Sequence, residues 1–535
     1  MKAIKYNLVL LLGMLFASCN DWLDIAQLGN ETEKTQFTTL EGTERVLNGF
    51  YREMMSSNLY GAYLSQTAIE AMANRFVYND RGINTSENAA TMIEELSNHR
   101  YIEANIESVF SAIWKSGYTL SFRINNYFKS IAEINLPIDT DKKNILLGEA
   151  YAIRAYIHFD LFRIFGKTYE PKNLQEERLP YNDLDFTDKS EEIVNKLYSL
   201  REETTENFFK KLLKDIRTAE SLLEKSDPIL TNLDAVTADL VIDDFYMNRN
   251  RRMNYYAVLA LKARVLQYMG NTEEAAAAAE EVLKAVGEGK PFQWHTALRE
   301  ADYTFFSEVI FGIHYLNMYT DGNSRYYGSK VLSGYFVSQQ MLNNYMFAKP
   351  SGHDNPDVAL GDFRRECWTE NNGTDVGTGT NIFGEGSGVT KVFVQKRFKE
   401  PANSTTQSKA YQQPLIRLAE MFYIIAEAKV EAGLYDDAVA MFNEHMERRM
   451  VNEIYRFGHT NNPIDTSDPE IKNALMDFIR KEYYCEFAGE GQLFFFNKRR
   501  QQNTFCDSNT ANSMLQIQDK EKAYIIDIPT IETNI

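Results

Sequence analysis

Two glycine breaks constrain this chain more than any other feature. Gly270 divides an apolar periodic stretch, residues 253–269, from an alanine-rich stretch, residues 272–286. Gly433 makes the same division within residues 414–450. Before it, Leu418, Phe422, Ala426 and Val430 share one helical face; after it, Ala438, Phe442 and Met446 do. Apolar residues three or four apart mark amphipathic helices, and a glycine just past the last turn ends one. Ala275 and Ala438 each fall five residues after their glycine. A small side chain there lets the two helices of a hairpin approach closely. The pattern predicts paired helices, not a sheet.

This is the helix–turn–helix logic of tetratricopeptide repeats, but the two breaks lie much further apart than the roughly 34-residue repeat. Scattered helix pairs are therefore predicted, not a tandem array. Further helices are expected at 41–57, behind the caps Thr38 and Thr39, and at 103–133, 143–165 and 203–225. The fold class is accordingly all-α dominated. Tetratricopeptide-like pairs over about 36–166, 203–287 and 414–450 form the scaffold, and a C-terminal helical block covers about 468–500. A loop-rich region over about 288–412 interrupts them. It carries a Gly/Asn/Thr-rich run from Asn371 to Gly388 and short alternating pieces such as Val389 to Phe393 that predict minor β structure. Residues 168–200 read as a second loop-rich insert. Loops this long in a compact body usually carry function.

The N-terminus has the anatomy of a secretory signal over residues 1–18. Lys2 and Lys5 precede an apolar run from Leu8 to Ala17, well short of the roughly 20 residues that span a bilayer. The run closes Leu15-Phe16-Ala17-Ser18-Cys19, which resembles a bacterial lipobox. Cys19 would then be the lipidated first residue of a mature body spanning 19–535. The alternative is an ordinary cleaved signal that leaves Cys19 a plain thiol. No later segment has 18 consecutive apolar residues. Asp21 and Asp24 beside the lipid resemble the acidic export signals of surface lipoproteins. Formal net charge is −18, and removing Lys2 and Lys5 makes the body more acidic still. Such a balance excludes nucleic acid and anionic membrane surfaces as natural partners. Three further cysteines, Cys367, Cys485 and Cys506, form no C-x-x-C pair and no disulfide framework.

Catalytic signatures are missing. There is no H-E-x-x-H and no G-x-S-x-G elbow, and the seven histidines lack metal-ligand spacing. Gly384-Glu385-Gly386-Ser387-Gly388 lacks the lysine of a phosphate-binding loop and reads as a flexible loop. His353-Asp354-Asn355-Pro356-Asp357 is rich in oxygen ligands but lacks EF-hand spacing and reads as a surface turn. His158 falls mid-helix and reads as a packed or partly exposed side chain. With 75 Asp and Glu, carboxylate pairs suited to glycoside hydrolysis arise by chance, and none stands out. No catalytic residue, metal ligand or cofactor is assigned.

Three segments carry a family resemblance. Residues 149–167 read EAYAIRAYIHFDLFRIFGK, residues 414–433 read PLIRLAEMFYIIAEAKVEAG, and residues 479–500 contain IRKEYYCEFAGEGQ and end in KRR. In this order, behind a lipobox with a Trp-Leu-Asp start, they resemble the SusD/RagB family of outer-membrane nutrient-binding lipoproteins. Arg154, Arg417, Glu420, Glu427, Glu482 and Glu490 within them sit on buried helical faces and read as scaffold ion pairs, since a buried charge is costly unless paired.

The resemblance implies a non-catalytic lipoprotein of the cell outer membrane, lipid-anchored and facing the extracellular side. Its partner would be a SusC-like TonB-dependent transporter, and its ligand an oligosaccharide or a peptide. Candidate ligand-binding residues by that resemblance are Arg75, Tyr78 and Asn79 in an early loop, and Tyr315, Tyr319, Asn323, Arg325, Tyr326 and Tyr327 in the non-repeat region. Trp294 and Trp368 are added as aromatic candidates. Asp321, Gly322 and Asn323 are turn residues, so the tyrosine cluster is expected to be exposed. Four tryptophans are too few for an extended arc of indole rings. The competing readings are a surface glycan hydrolase on an α-helical scaffold and a repeat scaffold that binds only proteins.

Overall fold

The computed structural model describes residues 36–77, 88–133, 138–184, 203–236, 245–297, 302–322, 325–326, 335–350, 359–370, 391–398, 411–507 and 514–529. Cys19, the signal segment, the glycine-rich run, the 384–388 loop and the 353–357 motif lie outside them.

Helices open the chain. Helix α1 (Leu40–Met54) starts where Thr39 Oγ1 accepts the Gly42 N–H at 3.0 Å, and buries Leu47, Phe50, Tyr51 and Met54. Compact turns over 55–67 lead to α2 (Ala68–Met72) and α3 (Asn88–Ser97). Helix α4 (Ala104–Glu133) buries the expected stripe of Ile106, Phe110, Ile113, Trp114 and Leu120. Helix α5 (Thr140–Phe165) is buried on nearly every side from Ile145 onward, as a helix enclosed by neighbours must be. Glycines permit that enclosure. A Cβ on Gly117 of α4 would stand 2.9 Å from Leu161 Cδ1 of α5. A Cβ on Gly148 of α5 would stand 2.7 Å from Leu223 Cγ on α6 (Thr205–Leu223).

The first predicted helix pair forms α7 (Tyr255–Tyr268) and α8 (Thr272–Leu283), with Gly270 at φ +81 between them. The second forms α10 (Leu418–Glu431) and α11 (Tyr435–Arg448), with Gly433 at φ +76. Both turns use the left-handed conformation that favours glycine. Ala275 and Ala438 are fully buried at the close approach. The pairs are not scattered in space, however. Helices α4 to α8 pack in sequence, and α8 packs directly on α10. The insert between them is looped out, so the helix row runs on through α11 and α12 (Ile471–Glu486). Apolar faces of α8 and α10 need a partner, and each supplies the other's.

The insert holds β1 (Val309–His314), the short α9 (Met318–Gly322), β2 (Val337–Ser338), β3 (Trp368–Glu370) and β4 (Val392–Gln395). Strand β4 lies between β2 and β3, three residues on from the start of the predicted Val389–Phe393 piece. One boundary is corrected. Residues 412–417 form strand β5 (Gln412–Arg417), paired antiparallel with β1, and helix α10 starts only at Leu418. The apolar residues at 415 and 416 face a sheet partner about a hundred positions earlier, which helical periodicity does not reveal. The chain ends in α13 (Gln492–Arg499), a β6 (Thr504–Cys506) and β7 (Met514–Gln516) hairpin, and α14 (Lys520–Tyr524). Among the described residues no helix is long and apolar enough to cross a membrane.

Arg154, Arg417, Glu420, Glu427, Glu482 and Glu490 of the three sequence segments are all paired. Arg154 grips Asp215 with Nε and Nη2, both at 2.7 Å. Glu420 takes Arg264, and Glu427 takes Arg499 at 2.6 Å. Glu482 and Glu486 at the end of α12, with Glu490 in the turn after it, meet Arg364, Arg397, Arg417 and Arg449 in one buried hub. Burial alone would raise the Glu486 carboxyl, but Arg449, Arg417 and Arg364 outweigh it and hold it well below the usual range. Glu490 goes the other way: burial outweighs Arg417 and Arg397 and pushes it up. Cys367, Cys485 and Cys506 are buried and unbridged.

Candidate functional site

The β1–β5 ladder builds the site. Its register sets His314 opposite Gln412, and beyond the last pair Tyr315 N–H donates to Tyr411 O at 3.0 Å. The chain then turns into α9. A Cβ on Gly322 would stand 2.8 Å from Phe398 O, so the end of this helix lies directly on the 398 backbone. Tyr326 stacks on the Phe398 ring, with centroids 4.3 Å apart and planes 6° from parallel. Its hydroxyl donates to Gln66 O at 3.0 Å.

Arg325 links the same two parts of the chain. Its Nη1 donates to Gly61 O at 2.8 Å and to Gln66 Oε1 at 3.1 Å. Its Nη2 lies 3.8 Å from Asp321 Oδ2. Gln66 Nε2 donates to Gln413 Oε1 at 2.8 Å, and Gln413 Nε2 donates to Gly489 O at 3.0 Å. The turns after α1, the segment after β1, strand β5 and the α12–α13 corner thus converge on one place. Tyr315 donates to Asp321, and Tyr319 meets Tyr411 edge-on at 4.6 Å.

Exposure differs from the expectation. Tyr315, Tyr319 and Tyr326 are buried, because Asp321, Tyr411 and Phe398 close over them. They form a floor. The accessible rim is polar: the Arg325 side chain is 17% exposed and that of Asp321 is 31% exposed, with Ser57 beside them. Leu316 adds an apolar side chain that is 74% exposed. Burial first, then the bond to Asp321, pushes the Tyr315 hydroxyl up to about 12. Burial first, then Arg251, lowers His314 to about 4, so the imidazole is neutral near pH 7. The rim offers a cation, a carboxylate and the Ser57 hydroxyl for hydrogen bonding.

The other candidates lie elsewhere. Arg75 is buried, paired with Glu70 and donating to Tyr484 O at 2.7 Å. Trp294 packs against α10 and α11, with the Arg448 guanidinium 4.4 Å over its ring. Trp368 is buried in β3, opposite Gln395. Tyr78, Asn79, Asn323 and Tyr327 lie outside the described residues. Gln66, Gln413, Phe398 and Tyr411 were not singled out from the sequence. The polar doublet Gln412-Gln413 that opens β5 is the signal the sequence offers for them. Among the described residues no group of three His, Cys, Asp or Glu side chains is placed to hold a metal.

The sequence profile of the SusD family matches residues 232–533. A second profile, described as starch-binding associating with outer membrane, matches residues 51–266. A curated relative, SusD-like protein P2 of Formosa agariphila, is 24% identical over 191 residues. That match spans 36% of this chain and 33% of the relative, about a third of its length. A solved SusD superfamily protein from Bacteroides thetaiotaomicron superposes with a TM-score of 0.62 at 19% identity, over 93% of this chain and 98% of that one. A SusD-like carbohydrate binding protein from Bacteroides vulgatus does so with a TM-score of 0.61 at 16% identity, over 92% and 96%. With the same helical architecture along most of the chain and the first profile covering more than half of it, the protein belongs to the SusD/RagB family.

Proposed function

We propose that this chain is a non-catalytic, lipid-anchored protein on the outer face of the outer membrane, which captures oligosaccharide and passes it to a SusC-like TonB-dependent transporter. The observation that carries this reading is the joint coverage by the two profiles, the second of which is described as starch-binding and associated with the outer membrane. The geometry supports it. A rigid floor of buried tyrosines holds Arg325 and Asp321 at the surface, where fixed hydrogen-bonding groups suit hydroxyl-rich ligands. Arginines already engage the carboxylates of the α12 hub, which suits a scaffold role for them. Cys19 would supply the anchor, with Asp21 and Asp24 beside it as the export signal.

The test is calorimetric titration of the purified protein with starch-derived and other plant oligosaccharides and with peptides, alongside an assay for new reducing ends. Saturable glycan binding without turnover is expected, together with copurification of a TonB-dependent transporter from detergent-solubilised membranes. New reducing ends would replace this reading with the hydrolase. Transporter copurification with no glycan binding would favour a protein-binding scaffold, and saturable peptide binding alone would make the cargo a peptide.

A further inference from the structure

We propose that the groove between α4, α5 and α6 is a second ligand site, distinct from the α9 rim, which takes a pyranose ring bearing an anionic substituent. The groove that Phe128, Tyr151 and Lys214 line measures about 410 Å³, within the usual range for ligand clefts. Phe128 of α4 and Tyr151 of α5 stack with centroids 4.2 Å apart and planes 26° from parallel. Both rings are only half-buried. An aromatic pair left at a cavity wall is a platform on which the C–H face of a sugar ring can bury apolar surface.

The platform is held rigidly. The Arg154 guanidinium lies 4.9 Å from the Phe128 centroid and 5.3 Å from that of Tyr151. Asp215 and Asn125 fix it, the latter at 2.6 Å from Nη1. The charges around it are unequal. Arg154 neutralises Asp215, and Lys211 is taken by Asp183 and Glu203 at 2.9 and 3.0 Å. Lys129 and Lys214 have no ion-pair partner among the described residues, and Glu133 is the one lining carboxylate in the same position. Two uncommitted ammonium groups beside an aromatic platform, in a protein of net charge −18, select an anionic ligand against the general field. A carboxylate and a sulfate on the sugar share this chemistry.

Digalacturonate, galactose 6-sulfate and uncharged galactobiose are titrated into the purified protein at millimolar concentration. Saturable binding of at least one anionic sugar is expected, tighter than galactobiose and weakened by added salt. Affinity is expected to fall about tenfold, or 1.4 kcal/mol, in Tyr151→Ala and in the double variant Lys129→Ala/Lys214→Ala. The same loss is expected when the groove variants are made in an Arg325→Ala background, where the α9 rim is disabled, which separates this site from the rim. Lys214 is exposed and Lys129 half-buried, so the double variant keeps its fold, checked by an unchanged thermal melt. The proposal fails if neither anionic sugar saturates, if galactobiose binds equally well, or if binding in the Arg325→Ala background survives both groove variants or is lost before they are made.

Discussion

Arg417 Nη1 lies 2.6 Å from Glu486 Oε1, which ties the last residue of β5 to the last residue of α12 inside the core. Glu486 also meets Arg449 at 2.8 Å and Arg364 at 2.8 Å. One carboxylate therefore serves three guanidinium groups from three parts of the chain. Glu486→Gln keeps the shape and removes the charge. Breaking a buried pair from one side typically costs about 3–5 kcal/mol, because the partner charge is left uncompensated. A matching drop in the urea midpoint is expected. A shift below 1 kcal/mol would mean that the hub is wet or redundant.

Gly148 makes a sharper test of packing. Its missing Cβ is the space that Leu223 occupies. Gly148→Ala improves helix propensity by up to about 1 kcal/mol. Overpacking a well-filled contact costs about 1–3 kcal/mol. Net destabilisation is expected, relieved by the second change Leu223→Ala at the same contact. Stabilisation by the single substitution would show that α5 and α6 can part without cost.

The helices were legible because a 3.6-residue period is a local property. Leu418, Phe422 and Val430 needed no knowledge of the partner helix. The boundary at Leu418 was not legible, since β5 exists only by pairing with β1, and no local signal encodes that partner. Charged residues on apolar faces revealed that Arg154, Glu420 and Glu490 would be paired; which partner each takes is a property of the packed row. The site was legible only in part. Asp321 and Gly322, expected in a turn, instead close the short helix α9; the burial of Tyr326 comes from Phe398, and that of Gln66 from β5, both remote in sequence.

Buried histidines make stability pH-dependent. His158 is lowered to about 3, by burial first; its Nε2 accepts the Asn182 N–H at 3.0 Å, and Nδ1 pairs with Arg154 O at 2.8 Å. His99 is lowered to about 4, again by burial, and His445 well below its usual value. Unfolded histidine titrates near pH 6.5, so below that pH the unfolded chain binds protons that the folded chain refuses. Stability is fully present above about pH 6.5 and falls toward pH 4, by about 1.4 kcal/mol per pH unit for each refused proton. The unfolding free energy measured between pH 7 and 4.5 gives the slope. His158→Gln lowers the plateau but flattens the slope by up to one proton. An unchanged slope would place the acid sensitivity elsewhere.

The proposed anchoring rests on Cys19. Cys19→Ala is expected to move the protein out of the membrane fraction and to abolish incorporation of labelled palmitate. A single acyl chain gives only marginal membrane binding, so the wild type is expected to carry more than one. Membrane retention of the variant without label would leave Cys19 an ordinary thiol.

Arg325 tests the proposed ligand site apart from the scaffold. It holds Gly61 O and Gln66 Oε1 while its side chain stays partly exposed. Arg325→Ala removes both bonds and the cation beside Asp321. Partly exposed bonds contribute about 0.5–1.5 kcal/mol each, so the urea midpoint is expected to move slightly. Oligosaccharide affinity is expected to fall about tenfold or more, since the fixed donor fork is lost. Arg325→Lys does not restore it, because one ammonium cannot hold two acceptors in the same plane and still face the ligand. Full recovery by lysine would show that charge alone acts there. Unchanged affinity in the alanine variant would remove the α9 rim from the binding surface.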